Sequence, residues 1–139
     1  MADRSAWTQP QVGKQGFART MKCFGSDVAL VAADLALNAT VGLFKVPAGF
    51  VLTSLSVVVP DMDTNGAPAL VFAIGDAGVA DRFITGATTG QAGGTNTTLA
   101  ATGLNYEFTD DTEIVWKSTT ASATAAAGTI KPRFFGYMK

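Results

Sequence analysis

Histidine is absent from this chain of 139 residues. The side chain that most often acts as a general base near neutral pH is therefore missing, and so is the commonest protein ligand of zinc. A serine or cysteine nucleophile would have no histidine to activate it. These absences exclude the most frequent catalytic arrangements, and we expect a protein that is not an enzyme.

Charge is also scarce, since only 15% of the residues are charged, against about 25% in typical soluble domains. The chain has ten basic and eleven acidic residues, which gives a net charge of −1. Binding to nucleic acid needs a basic surface that neutralises phosphates, so we expect no nucleic acid among the partners. Low charge is typical of surfaces that face other subunits, although a threonine-rich monomer surface would give the same composition.

The chain has a single cysteine, Cys23, and no long apolar segment. One cysteine cannot form an internal disulfide, which excludes a disulfide-stapled secreted domain. Its apolar neighbours Met21 and Phe24 predict that Cys23 is buried. No apolar stretch approaches the roughly 18 residues of a membrane-spanning helix, and no apolar run follows the N-terminal charges. We therefore expect neither a membrane partner nor a signal peptide.

Hydrophobic residues make up 47% of the chain, enough for one domain with its own core. They form short runs separated by glycine, proline, asparagine and aspartate, which is a strand pattern. Residues 27–37 fit a helix as well as a strand, and we favour the strand because no other segment prefers a helix. The pattern predicts an all-β fold, a single-domain antiparallel β-sandwich that is jelly-roll-like, with strands over 17–24, 27–37, 41–46, 50–59, 69–74, 106–108, 113–118 and 129–139.

Two features of the predicted connections and strands stand apart. Residues 86–103 are low in complexity and longer than an ordinary connection, which is typical of functional or disordered loops. Pro132 lies within the last strand. Because proline cannot donate into a strand ladder, it predicts an edge strand or a strand whose nitrogen at that position has no ladder partner.

Residues 1–16 show no hydrophobic periodicity and predict an extended N-terminal arm before a sandwich domain at 17–139. A frayed terminus has the same pattern. The arm nevertheless contains a tryptophan, and aromatic anchors are common at protein interfaces. The interpretation as a docking arm makes these residues candidate partner contacts: Arg4, Trp7, Pro10, Lys14 and Phe17.

The one chemical pattern in the chain is Asp61-Met62-Asp63-Thr64-Asn65-Gly66, between the strands at 50–59 and 69–74. Asp61, Asp63 and Asn65 match the first half of a calcium loop, which makes calcium the only candidate cofactor. Position twelve, where such a loop needs a glutamate, is Phe72. We therefore favour a hairpin turn in which Asp and Asn bind their own backbone, Gly66 takes a positive φ and the exposed tip is a candidate contact.

Two further groups of residues have both a chemical and a structural interpretation. Paired carboxylates can hydrolyse glycosides, but in the acidic cluster of Asp110, Asp111 and Glu113 the two aspartates fall in a predicted exposed turn with nothing to raise a pKa. Aromatic side chains on strands can form a platform for sugars or bases, yet at a spacing of two they are more often core. The core interpretation is favoured for Tyr106, Trp116, Phe134, Phe135 and Tyr137.

The segment from Val41 to Ile84, VGLFKVPAGFVLTSLSVVVPDMDTNGAPALVFAIGDAGVADRFI, resembles a segment of small structural proteins of tailed bacteriophages. A strand ending in Pro-Ala-Gly leads to a second strand, an Asp-x-Asp-Thr-Asn-Gly loop and a strand closing in Gly-Asp. An Asp-Arg-Phe element follows. The resemblance covers about a third of the chain, and its motifs are turn-forming.

The resemblance implies a structural virion protein, a capsid decoration (cement) protein on the capsid surface, made in the host cytoplasm. It further implies a β-rich homotrimer bound to the major capsid protein, with no catalytic residues. Two alternatives stay open. One is a carbohydrate-binding sandwich that uses calcium at Asp61, Asp63 and Asn65. The other is a different virion component, such as a head fibre base or a tail protein.

Overall fold

The computed structural model describes residues 21–139. These residues form nine strands and two short 3-10 helices, and no helix among them is long and apolar enough to cross a membrane. The helices are Ala32–Leu35 and Thr89–Gln91. The strands are β1 Met21–Phe24, β2 Val28–Leu30, β3 Thr40–Val46, β4 Phe50–Val59, β5 Val71–Gly75, β6 Ile84–Ala87, β7 Gly94–Asn96, β8 Thr112–Thr120 and β9 Gly128–Met138.

The strands form two antiparallel sheets that pack face to face. The first sheet has the order β1-β9-β4-β7, with β2 also paired to β9, and the second has the order β3-β8-β5-β6. Only the connections β1–β2 and β5–β6, within the described residues, stay inside one sheet. The other connections cross from one sheet to the other. The predicted all-β sandwich is confirmed.

The crossings gather the connections at two opposite ends of the sandwich. We call one the Asp63 end; it comprises residues 31–39, 60–70, 88–93 and 121–127. The other, the Asp76 end, comprises residues 47–49, 76–83 and 97–111, and β1 begins there. Because neighbouring strands are antiparallel, each end collects connections from both sheets, and loops distant in sequence become neighbours.

The core between the sheets is aromatic. Trp116 is fully buried and stacks on Phe72, with 4.1 Å between ring centroids. Phe134 is also fully buried and packs edge-on against Phe83 at 5.1 Å. The core interpretation is therefore correct for Trp116 and Phe134. Phe135 and Tyr137 alternate with the inward-facing residues of β9 and are half-buried, as is Tyr106.

A buried hydroxyl ties this core to the connection between β2 and β3. The Trp116 Nε1–H donates to Ser118 Oγ at 3.0 Å, and the Ser118 hydroxyl donates to the carbonyl of Asp34 at 2.8 Å. The polar edge of the indole is thus satisfied inside the sandwich, as burial of tryptophan requires. Because Asp34 belongs to the first 3-10 helix and Ser118 to β8, the same hydrogen bond holds that helix over the end of β8.

The predicted hairpin at 50–74 is wrong. β4 pairs with β9 and β7 in the first sheet, whereas β5 pairs with β8 and β6 in the second. Residues 60–70 are therefore a crossing between sheets. Alternation and turn residues predicted the two strands, but they do not distinguish a hairpin from a sandwich crossing, because both need an apolar run on either side of a turn.

Three other local predictions also need correction. Of residues 27–37, only Val28–Leu30 is a strand, and a 3-10 turn follows. The expected strand at 106–108 is reduced to one bridge between Val51 and Glu107. Cys23 is exposed on β1 rather than buried, because successive side chains of a strand point to opposite faces and its neighbour Phe24 is the one that packs against the core.

Residues 86–103 have regular structure, namely the end of β6, a 3-10 turn and β7. Pro132 lies in β9, an inner strand, which excludes the edge-strand alternative. Gly25 lies in the gap between β1 and β2, and a Cβ on it would be 2.1 Å from the carbonyl oxygen of Pro132. The backbone of Pro132 therefore faces this gap. The missing N–H thus falls where no ladder partner exists.

Candidate functional site at the ends of the sandwich

The predicted turn chemistry at residues 61–67 is confirmed. The carboxylate of Asp61 accepts the N–H of Asp63 at 3.1 Å, that of Asp63 accepts the N–H of Asn65 at 3.4 Å, and the Asn65 amide oxygen accepts the N–H of Ala67 at 2.9 Å. The spacing of two in the motif thus gives three successive Asx turns. Gly66 does not adopt the expected positive φ, since the Asx turns reverse the chain without it.

Asp63 is not at an exposed tip, because only 1% of its surface is accessible. Its two oxygens accept five backbone N–H groups at 2.7–3.4 Å, those of Asn65, Ala69, Leu70, Ala123 and Thr124. Burial alone would raise the pKa of Asp63, but the bonds from Ala69, Thr124, Ala123 and Leu70 outweigh it and hold that pKa far below its usual value. The carboxylate therefore stays ionised and joins the β4–β5 crossing to the β8–β9 connection.

Calcium binding at Asp61, Asp63 and Asn65 stays a prediction, and the structure shows what the ion would have to displace. The oxygens of Asp63 already accept backbone hydrogens. Within residues 21–139, no group of three or more acidic, histidine or cysteine side chains suited to a metal occurs. Asp76, the next carboxylate in the sequence, follows the five-residue strand β5, a strand length of roughly 17 Å, and lies at the opposite end.

Asp76 plays a corresponding role at the opposite end. Its carboxylate accepts the N–H groups of Gly78 and Val79 at 2.9 and 2.8 Å, and it pairs with the Arg82 guanidinium at 2.7 Å. Burial alone would raise the pKa of Asp76, but the hydrogen bond from Arg82 and the backbone bonds lower it. The Arg82 guanidinium also lies 4.4 Å above the centre of the Tyr106 ring, which adds a cation–π contact.

An open pocket of about 270 Å³ adjoins this group. The polar side chains that line it belong to Asp76, Arg82, Tyr106, Thr109, Asp110 and Thr112. The carboxylate of Asp76 already binds Arg82 and the backbone N–H groups of Gly78 and Val79. These contacts are those of a structural residue. Asp110 and Asp111 lie in the expected exposed turn, where Asp111 also accepts the N–H of Ala48 at 2.9 Å.

The exposed charges are distributed unevenly between the two ends. Among the described residues, the connections of the Asp63 end expose eighteen residues, of which only Asp61 is charged. Those of the Asp76 end expose sixteen, of which four are charged: Asp81, Glu107, Asp110 and Asp111. A quarter is an ordinary share for a soluble surface, so the Asp63 end is the unusual one. The composition shows that charged residues are few, but not that one end of the sandwich has almost none exposed.

The candidate contacts of the sequence fall into two groups. Arg4, Trp7, Pro10, Lys14 and Phe17 lie outside the described residues, as does the predicted arm at 1–16. Asp61 and Asn65 are exposed at the Asp63 end, and Asn65 also donates to the Thr124 hydroxyl at 2.9 Å. The sequence motif therefore lies at the Asp63 end with two polar residues exposed, while its central carboxylate is structural.

Comparisons with known proteins add to this geometry. The sequence matches no protein-family model and no curated protein. Its fold matches a chain of the cyanophage Pam1 capsid asymmetric unit with a TM-score of 0.75 and 23% identity, over 99% of both chains. A chain of the Ralstonia phage GP4 capsid matches with a TM-score of 0.70 and 24% identity, over 87% of this chain and 84% of that one.

A third match is a chain of the acidic stable capsid structure of Helicobacter pylori bacteriophage KHP30. It has a TM-score of 0.56 and 12% identity, over 86% of this chain and 93% of that one. The resemblance of the sequence to phage structural proteins thus extends to the fold, which recurs in three bacteriophage capsid structures.

Replacing Asp63 by alanine leaves five N–H groups without their acceptor. We expect Asp63→Ala to lower Tm by roughly 10 °C or more, because unsatisfied buried donors are costly. Asp61→Ala, which removes one acceptor at an exposed position, is the matched control and is expected to change Tm by only a few degrees. Thermal unfolding followed by circular dichroism measures both. Equal shifts for the two variants would show that Asp63 does not hold the crossing.

The same carboxylate predicts a pH dependence. A carboxyl whose pKa is lowered on folding stabilises the fold above its unfolded pKa, and this contribution is lost as the pH falls through the folded pKa. The loss therefore begins near pH 4, about the pKa of an unfolded aspartate, and continues downward. We expect the Tm difference between the wild type and Asp63→Asn to be largest at pH 6 and to shrink toward pH 2.5. A difference that stays constant over this range contradicts the assignment of the charge.

Proposed function

We propose that this chain is a structural virion protein, a capsid decoration or cement protein that binds the major capsid protein and stabilises the shell. The observation that carries the proposal is the fold match over 99% of both chains in the capsid asymmetric unit of cyanophage Pam1. Two further phage capsid chains share the fold. A fold alone does not determine function, so the surface has to support the proposal as well.

The surface does support a protein with several protein partners. The low charge of the whole chain and the near absence of exposed charge among the described residues of the Asp63 end match the depletion of charge at interface cores. A homo-oligomer, and specifically a homotrimer, is the proposed state, because small structural proteins most often assemble with closed symmetry. The proposed location is the outer surface of the capsid.

The carbohydrate-binding alternative has less support. A sugar platform needs aromatic faces open to solvent. Trp116 and Phe134 are fully buried, and Tyr106 has its ring covered on one side by Arg82. A head fibre base or a tail protein is a variant of the same structural role.

Electron cryomicroscopy of the parent particle tests the proposal. We expect the protein in gradient-purified virions by mass spectrometry, and density of a β-sandwich on the outer face of the capsid. Labelling with an antibody against the protein locates it independently of map interpretation. Label confined to the tail favours the tail variant, and absence of the protein from purified virions rejects a structural virion role altogether.

The candidate contacts of the arm give a second test. We propose that Arg4, Trp7, Pro10, Lys14 and Phe17 contact the capsid protein. Deleting residues 1–16 is expected to abolish co-sedimentation with particles that lack the protein, while Tm changes little, because all nine described strands lie within 21–139. Trp7→Ala in the full chain is expected to weaken binding at least tenfold, as loss of an aromatic anchor does. A truncated protein that binds at full affinity contradicts the role of the arm.

A further inference from the structure

The Asp63 end is built as a pre-formed surface. The Asp63 carboxylate binds the N–H groups of Ala123 and Thr124, and the N–H of Ser122 donates to the Leu35 carbonyl at 3.1 Å. The N–H of Met62 donates to the carbonyl of Gly90 at 2.9 Å. All four connections at this end are therefore joined by hydrogen bonds. Binding through such a surface has a small ordering cost.

The exposed side chains of this end are small or apolar. Val31 and Leu37 are 55% and 62% exposed. Most of the other exposed residues of the four connections are alanine, threonine, glycine or asparagine. Eighteen exposed residues approach the 20–30 residues that each side contributes to an interface of about 1,600 Å². The surface thus falls slightly short of that range and has the size of the smaller specific interfaces, about 1,200 Å² in total.

We infer that the Asp63 end is the surface through which copies of this chain associate. The inference rests on the proposed homo-oligomer and names the part of the molecule that forms it. Cyclic symmetry places the same end of every copy around one axis, and in a trimer one part of that end contacts a different part on the next copy. At the Asp76 end Lys139 pairs with Glu107, while the exposed Asp81, Asp110 and Asp111 have no such partner among the salt bridges of the described residues. That end therefore stays acidic, and copies meeting there would repel each other. At the Asp63 end only Asp61 would contribute charge.

Two exposed leucines at opposite ends provide a matched test. Leu37 lies at the Asp63 end and is 62% exposed, whereas Leu104 lies at the Asp76 end and is 55% exposed. We expect Leu37→Asp to raise the dissociation constant of the oligomer at least tenfold in sedimentation velocity, and Leu104→Asp to leave it within twofold. Neither leucine belongs to the core, and unchanged melting curves confirm that both variants fold. Val31→Asp should repeat the effect of Leu37→Asp.

Salt provides a second readout. A contact without charge pairs is not weakened by screening, so we expect the oligomer to persist from 0.1 to 1 M NaCl. Three results overturn the inference: a monomeric wild type, a Leu37→Asp protein that assembles as the wild type does, or dissociation in high salt.

Binding to particles separates the inference from the proposed function. If Leu37→Asp assembles normally but no longer binds particles, the Asp63 end is a shell-binding surface, and self-association through it is wrong. If the oligomer behaves as inferred while the wild type is absent from virions, the proposed function fails and the inference stands.

Discussion

The carboxylate of Asp63 is the interaction on which the arrangement of this sandwich depends. Chain crossings between two sheets expose backbone N–H groups that no strand can pair, and each needs an acceptor. Asp63 supplies one acceptor group for five of them, on three separate stretches of chain. An ionised oxygen makes stronger hydrogen bonds than a neutral one, which explains why a charged side chain is stable here with 1% of its surface accessible.

Asp76 repeats this solution at the opposite end, with one difference that affects the surface. Asp63 is neutralised by backbone dipoles alone, so the Asp63 end needs no basic side chain near it. Asp76 also pairs with Arg82, and further charges lie around that pair. Beside this difference, the connections of the Asp63 end expose a single charge, whereas those of the Asp76 end expose four.

The sequence was informative about elements and much less so about their arrangement. Alternation and turn residues located β3, β4, β8 and β9 to within a few residues, because strand periodicity is a local property. The partner of β4 is β9, about eighty residues away, and no local pattern carries that pairing. Asp61-x-Asp63-x-Asn65 correctly predicted Asx turns. The burial of Asp63 was missed, because it depends on Ala123 and Thr124 from another connection.

The low-charge surface at the Asp63 end depends on the same non-local property. Composition shows that charge is scarce, but scarcity spread evenly over a sandwich would favour no surface. The fold converts it into an asymmetry, because alternate connections in the chain lie at the same end. Residues 31–39, 60–70, 88–93 and 121–127 are far apart in sequence, yet together they form one surface with a single exposed charge. A β-sandwich is compatible with many functions, so the proposed assembly depends on this surface more than on the fold.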